Sequence, residues 1–133
     1  MGLAESVLRL IGMRCVRREL AVTIDYTYHY KKYHDGSVAD TVASVADFRR
    51  RLSWLCLPAI RDIPVLDVGC GAGHCLLALR ALGYSNLEGI DADAGQVEVA
   101  SRHNLKVSHV PVDQFLSYVE AQPSKYGLIT LMD

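Results

Sequence analysis

The second half of the chain alternates between short apolar runs and amphipathic segments. Ile63 to Val68 is a run of apolar and β-branched residues, broken only by Pro64 and Asp67. It meets three glycines in a five-residue window, and Cys75 to Leu82 then continues as an apolar segment that Gly83 closes. This order predicts strand, tight turn and buried helix. Pro64 falls at the start of the strand, where a missing N–H is harmless. Leu87 to Asp91 predicts a second strand, Ala94 to Arg102 a helix, and Leu105 to Val110 a third strand. Asp113 to Ala121 predicts another helix, ended near Pro123, and Tyr126 to Met132 a fourth, almost wholly apolar strand. Such a strand is expected where both faces are covered. Strands and helices alternating at this spacing imply βαβ units, a mostly parallel sheet and the α/β class.

The first half is patterned differently. Leu3, Val7, Leu8, Ile11, Cys15 and Val16 recur at helical spacing, so Leu3 to Leu20 predicts an amphipathic helix. Tyr26 to His34 holds four of the seven tyrosines and ends in the turn pair Asp35-Gly36. Ser37 is placed to cap a helix with Asp40 in its first turn, running through Val42, Val45, Phe48, Leu52 and Cys56 until Pro58. Trp54, the only tryptophan, is expected to anchor that helix. The resulting division is a helical extension over residues 1–58 and an α/β core over residues 59–133.

Composition narrows the possibilities. The 133 residues, half of them hydrophobic, suffice for one domain with a core. A formal net charge of −1 argues against a nucleic-acid partner held by bulk electrostatics. The arginine clusters at Arg14, Arg17 and Arg18 and at Arg49 to Arg51 read as solvated helix faces. Cys15, Cys56, Cys70 and Cys75 form no C-x-x-C pair, which suggests reduced thiols in a cytoplasmic setting and no metal site. No apolar run approaches the roughly 20 residues of a membrane helix. Met1 to Ser6 fits the loose pattern for N-myristoylation, but the segment is read as structure.

The chemistry concentrates between Val65 and Asp91. Gly69, Gly71 and Gly73 leave no Cβ near the turn, so a ligand can lie against the main chain. Dinucleotide folds use G-x-G-x-x-G, whose helix N-terminus faces a pyrophosphate. Here the spacing is G-x-G-x-G, and His74 stands where the third glycine of that pattern would be. Asp67, two residues before the first glycine, would repel a diphosphate and suits a cationic amino group. Asp91, at the end of the second strand, can accept two hydrogen bonds from vicinal ribose hydroxyls. Its competing role is to cap the next helix, for which Asp93 is better placed.

Val-Leu-Asp-Val-Gly-Cys-Gly-Ala-Gly at residues 65–73 and Gly-Ile-Asp-Ala-Asp at residues 89–93 resemble the first two motifs of class I S-adenosylmethionine-dependent methyltransferases. Residues 126–133 resemble the fourth-strand motif of that family, and the similarity covers about residues 60–133. The resemblance implies a Rossmann-like three-layer sandwich with four core strands. S-adenosylmethionine is the implied cofactor, with Asp67, Gly69, Gly71 and Gly73 around its methionine end, Asp91 on its ribose, and Ala92 and Asp113 beside its adenine. Asp113 is displaced from the family's usual acid, because Val110-Pro111-Val112 follows the third strand. Family members continue beyond the position of Asp133, so the resemblance also implies a C-terminally truncated chain, with an exposed fourth strand open to self-association. Tyr33 and the arginine-bearing helix are similar to the extension of bacterial members that act on small molecules or glycan precursors. Methyl transfer to such an acceptor is the expected activity, with no assigned catalytic residue. His29, Tyr33, His34 and Asp133 are candidates to touch the acceptor. The alternatives are a nicotinamide-dependent oxidoreductase and a folded cofactor-binding or interaction module without turnover.

Overall fold

A computed structural model describes residues 38–122 and 125–132. The segments 3–20 and 26–34, with His29, Tyr33 and His34, lie outside the described residues, as does Asp133.

The first described helix, α1 (Val38–Leu52), carries Asp40 in its first turn and Arg49, Arg50 and Arg51 in its last, the arrangement that complements the helix dipole. Asp47 pairs with Arg50 and with Arg51, the latter at 2.7 Å, so these arginines do form an exposed, ion-paired face. The helix stops at Leu52, short of the expected Pro58, and Trp54 is 85% exposed. Trp54 therefore does not anchor α1. The stripe facing the core is Val45, Phe48 and Leu52. Trp54 lies in the turn that follows, its N–H donating to Arg51 O at 3.2 Å, and its side chain faces solvent.

Four strands follow: β1 (Val65–Val68), β2 (Leu87–Asp91), β3 (Lys106–His109) and β4 (Leu128–Thr130). All pair in parallel, in the order β3-β2-β1-β4. Between them lie α2 (His74–Ala81), α3 (Ala94–Arg102), a one-turn helix (Val112–Gln114) and α4 (Phe115–Glu120). The helix expected from Asp113 thus opens as a tighter single turn. The fourth strand is three residues long, shorter than the apolar run Tyr126 to Met132 suggested, and Ile129 is 40% exposed.

The period-two alternation of β1 separates two cores. Val65 joins Leu52 of α1 and Cys75, Ala78 and Leu79 of α2 on one face. Leu66 and Val68 join Ile90, Val110 and Phe115 of α4 on the other. Leu76 of α2 meets Ala100 of α3 and Leu105 beside β3. Helices on both faces of the sheet make the three-layer Rossmann-like sandwich. Each fully buried leucine in these clusters contributes about 1.5–3 kcal/mol through burial.

The turn after α2 closes as its glycine predicts. Gly83 has φ +96°, and Tyr84 N donates to Leu79 O at 3.1 Å. The Tyr84 ring is 1% exposed, its hydroxyl donates to the Pro58 carbonyl, and Arg61 stacks 4.5 Å above it. This ties the irregular connector between α1 and β1 to the core. Among the described residues no helix is long and apolar enough to cross a membrane.

Candidate functional site

The strand order places the site. The chain runs outward from β1 to β2 and β3, then returns to add β4 on the other side of β1. Ligands of open α/β sheets bind beyond the carboxyl ends of the strands at such a reversal. The glycine loop after β1 lies there.

Gly69, Gly71 and Gly73 have φ of +73°, +52° and +85°. Gly69 N and Cys70 N both donate to Ile90 O, at 2.8 and 3.0 Å, which pins the loop against β2. The outer glycines serve different ends. A Cβ on Gly73 would stand 2.4 Å from Leu105 Cδ1 and 3.2 Å from Ala100 Cβ, so Gly73 permits close packing of the loop on β3 and α3. A Cβ on Gly69 would meet nothing within 4 Å. Gly69 therefore presents an open backbone face at the carboxyl edge.

Asp91 holds the two halves of the site together. Its Oδ2 accepts from Gly71 N at 2.7 Å and its Oδ1 accepts from Asp93 N at 2.8 Å. Each carboxylate oxygen has more than one lone pair, so acceptor capacity remains. Asp93 caps α3, its Oδ1 accepting from Gln96 N at 3.0 Å. The competing roles read from the sequence are thus divided between these two acids. Ala92, half-buried between them, accepts a hydrogen bond at its carbonyl oxygen from His109 Nε2 at 3.0 Å.

Asp67 is 1% exposed and accepts from Thr130 Oγ1 at 2.6 Å. Burial pushes its carboxyl up to about 7, against the lowering effect of the Thr130 hydrogen bond and with a further upward push from Asp91. Cys70 and Cys75 are buried beside it. Burial, reinforced by Asp67, raises both thiols far above their ordinary range, so neither is a nucleophile.

The structure brings Asp67, Gly69, Gly71, Gly73, Asp91 and Ala92 to one corner. Asp113 lies exposed on the one-turn helix after β3 and takes no part in the hydrogen bonds of that corner. Thr130, His109 and Gly89 belong to the site's framework; Gly89 was read from the sequence only as part of the motif at residues 89–93, and Thr130 and His109 were not singled out as site residues. Gly89 leaves room for Cys70, whose Sγ would lie 2.7 Å from an added Cβ. For Thr130 the available signal was a lone hydroxyl within an apolar run.

No lysine or arginine among the described residues pairs with Asp67 or Asp91. A corner with two buried carboxylates and an open glycine face suits a ligand bearing a cationic group and hydroxyls, and disfavours a pyrophosphate.

The ribosomal protein L11 methyltransferase of Methylobacillus flagellatus is 36% identical over 66 residues, which are 50% of this chain and 22% of that protein. That of Pseudomonas fluorescens is 37% identical over 71 residues, 53% of this chain and 24% of that protein. The chain spans about a quarter of the length of these curated relatives. Among solved structures, YcgJ of Bacillus subtilis overlaps 52% of this chain and 30% of its own, with 27% identity and a TM-score of 0.38. The plantazolicin methyltransferase BpumL, in complex with a pentazolic desmethylPZN analog and SAH, overlaps 80% and 39%, with 18% identity and a TM-score of 0.46. The family model described as a methyltransferase domain matches residues 37–133, which take in every described strand and the whole glycine corner, and the chain belongs to that family.

Proposed function

We propose that the corner built by Asp67, Gly69, Gly71, Gly73, Asp91 and Ala92 binds S-adenosylmethionine, and that the chain carries the donor site of a methyltransferase acting on a small-molecule or glycan-type acceptor. The observation that carries this reading is the Asp91 carboxylate, fixed by Gly71 N at 2.7 Å and Asp93 N at 2.8 Å beside the open face of Gly69. Asp91 accepts the ribose hydroxyls through its remaining lone pairs. The Gly69 backbone allows close approach, and Asp67 supplies negative charge beneath the loop for the cationic methionine end. Ala92 flanks the adenine, with Asp113 at the outer side of the same pocket. When bound, S-adenosylmethionine supplies an activated methyl group for direct displacement by the acceptor atom. The chain's contribution is to hold the donor in one orientation, the main source of rate in such transfers.

The acceptor class rests on the similarity of Tyr33 and the arginine-bearing helix to extensions of small-molecule and glycan-precursor methyltransferases. Calorimetry with S-adenosylhomocysteine and with NAD tests the donor site: binding of the former alone is expected, and binding of NAD alone overturns the reading. Label transfer from S-adenosylmethionine to small-molecule and glycan acceptors, against a ribosomal protein fraction, tests the acceptor. Transfer to protein only would overturn the acceptor assignment and leave the donor site standing.

A further inference from the structure

The carboxyl end of β1 holds a side-chain link that the sheet hydrogen bonds do not require. Thr130 lies on β4, across the chain reversal from β1, and donates to Asp67 Oδ1 at 2.6 Å. Both side chains are buried, at 6% and 1% exposure. Along β1, Asp67 shares the face of Val65 and so points toward α2. The titratable groups around it are Asp91 on β2, Cys70 in the loop and Cys75 on α2, with His74 opening the same helix. β4 contributes a hydroxyl and no ionisable side chain. The two thiols stay protonated through the neutral range, because burial pushes them upward. Among the described residues, the lysine and arginine salt bridges go to Asp47, Glu88 and Glu98 and not to either of these acids. A ligand with an ammonium group would bring a positive charge to this pair.

We propose that Thr130 is a positioning residue of the donor corner: its hydrogen bond holds the Asp67 carboxylate for a cationic ligand, so that ligand uptake is linked to release of a proton from Asp67. The inference rests on the reading of the corner as a site for S-adenosylmethionine and adds to it a specific linkage. Before binding, Asp67 near neutrality is partly the neutral acid, because burial and Asp91 oppose its charge. Arrival of an ammonium group favours the carboxylate, and the proton leaves to solvent. Thr130, as donor, favours the same charged form.

Calorimetry of S-adenosylhomocysteine binding to the full chain, in buffers of differing ionisation enthalpy, reads this directly. Affinity should fall by about tenfold for each pH unit below about 7 and level off above it, with up to about one proton released per ligand bound at about pH 6. Thr130→Val removes the donor and should shift the break to higher pH, weakening binding roughly threefold to tenfold near pH 7 while the alkaline plateau stays unchanged. Thr130→Ser should restore the wild-type profile, and Thr130→Ala serves as the second hydroxyl-free variant should the valine not fold. Binding that is independent of pH from about 6 to about 8, with no buffer-dependent enthalpy, overturns the linkage. A hydroxyl-free variant with the wild-type profile overturns the role of Thr130. Absence of S-adenosylhomocysteine binding at every pH overturns the reading of the corner itself, and this inference with it.

Discussion

Thr130 Oγ1 donates to Asp67 Oδ1 at 2.6 Å across the boundary where the sheet reverses its direction of growth. One hydrogen bond thus joins β4 to β1 beneath the loop that the ligand would contact. Among the described residues, no lysine or arginine forms a salt bridge with this buried acid.

That acid should make the fold pH-dependent. The Asp67 carboxyl is raised from its ordinary 3.8 to about 7 in the folded chain. Its contribution to stability is therefore full below about pH 4 and is lost as pH rises through about 7. Asp67→Asn, which cannot ionise, should melt no higher than the wild type in acid and about 5 °C higher under alkaline conditions. Thermal unfolding by circular dichroism across this range checks the sign, and a gain confined to acid would contradict it.

The outer glycines of the loop should fail differently. Gly73→Ala puts a Cβ 2.4 Å from Leu105 Cδ1 at φ +85°, and should cost roughly 2–4 kcal/mol of stability. Gly69→Ala meets open space and should cost only about 1–2 kcal/mol, from its φ of +73°. Its main effect should be a loss of S-adenosylhomocysteine affinity of roughly tenfold or more, because the methyl group stands on the ligand face. Urea unfolding and calorimetry on the two variants separate the roles.

Asp91 should serve both fold and ligand. Asp91→Ala removes the acceptor for the buried Gly71 N–H and should lower stability by about 1–3 kcal/mol. It should also weaken S-adenosylhomocysteine binding by more than about tenfold. Unchanged affinity in a variant that remains folded would remove the ribose assignment.

On the opposite face of β2, Glu88 accepts from Tyr118, from Lys125 at 2.9 Å and from Lys106 at 3.2 Å. Burial opposes its charge, but the three donors prevail and hold it at about 2, below its ordinary 4.5. The same contact, added to burial, pushes Tyr118 up to about 12. The stabilisation is present above about pH 4.5 and is lost as pH falls through about 2. Glu88→Gln should therefore cost about 1–3 kcal/mol at neutral pH, with a deficit that shrinks toward acid. Urea titrations at neutral and acidic pH measure both, and ligand binding should be unaffected.

The amino-acid order alone located the four strands and the glycine corner between the first strand and its helix. Period-two runs, glycine punctuation and helical spacing are local signals, and local chemistry decides where Val65–Val68 ends and α2 begins. Asp93 as a cap and Gly83 as a stop follow from side-chain and backbone properties that act within a few residues. Trp54 marks the limit of that approach: its place outside the core depends on where α1 stops, which is settled by packing of Val45, Phe48 and Leu52 on α2. The pairing of Asp67 with Thr130 spans 63 residues, and that of Asp91 with Gly71 spans 20. Only the order β3-β2-β1-β4 brings those atoms together. The residue types suggested the chemistry of the corner, while only the tertiary structure showed that the Asp67 carboxyl is raised, because burial opposes its charge.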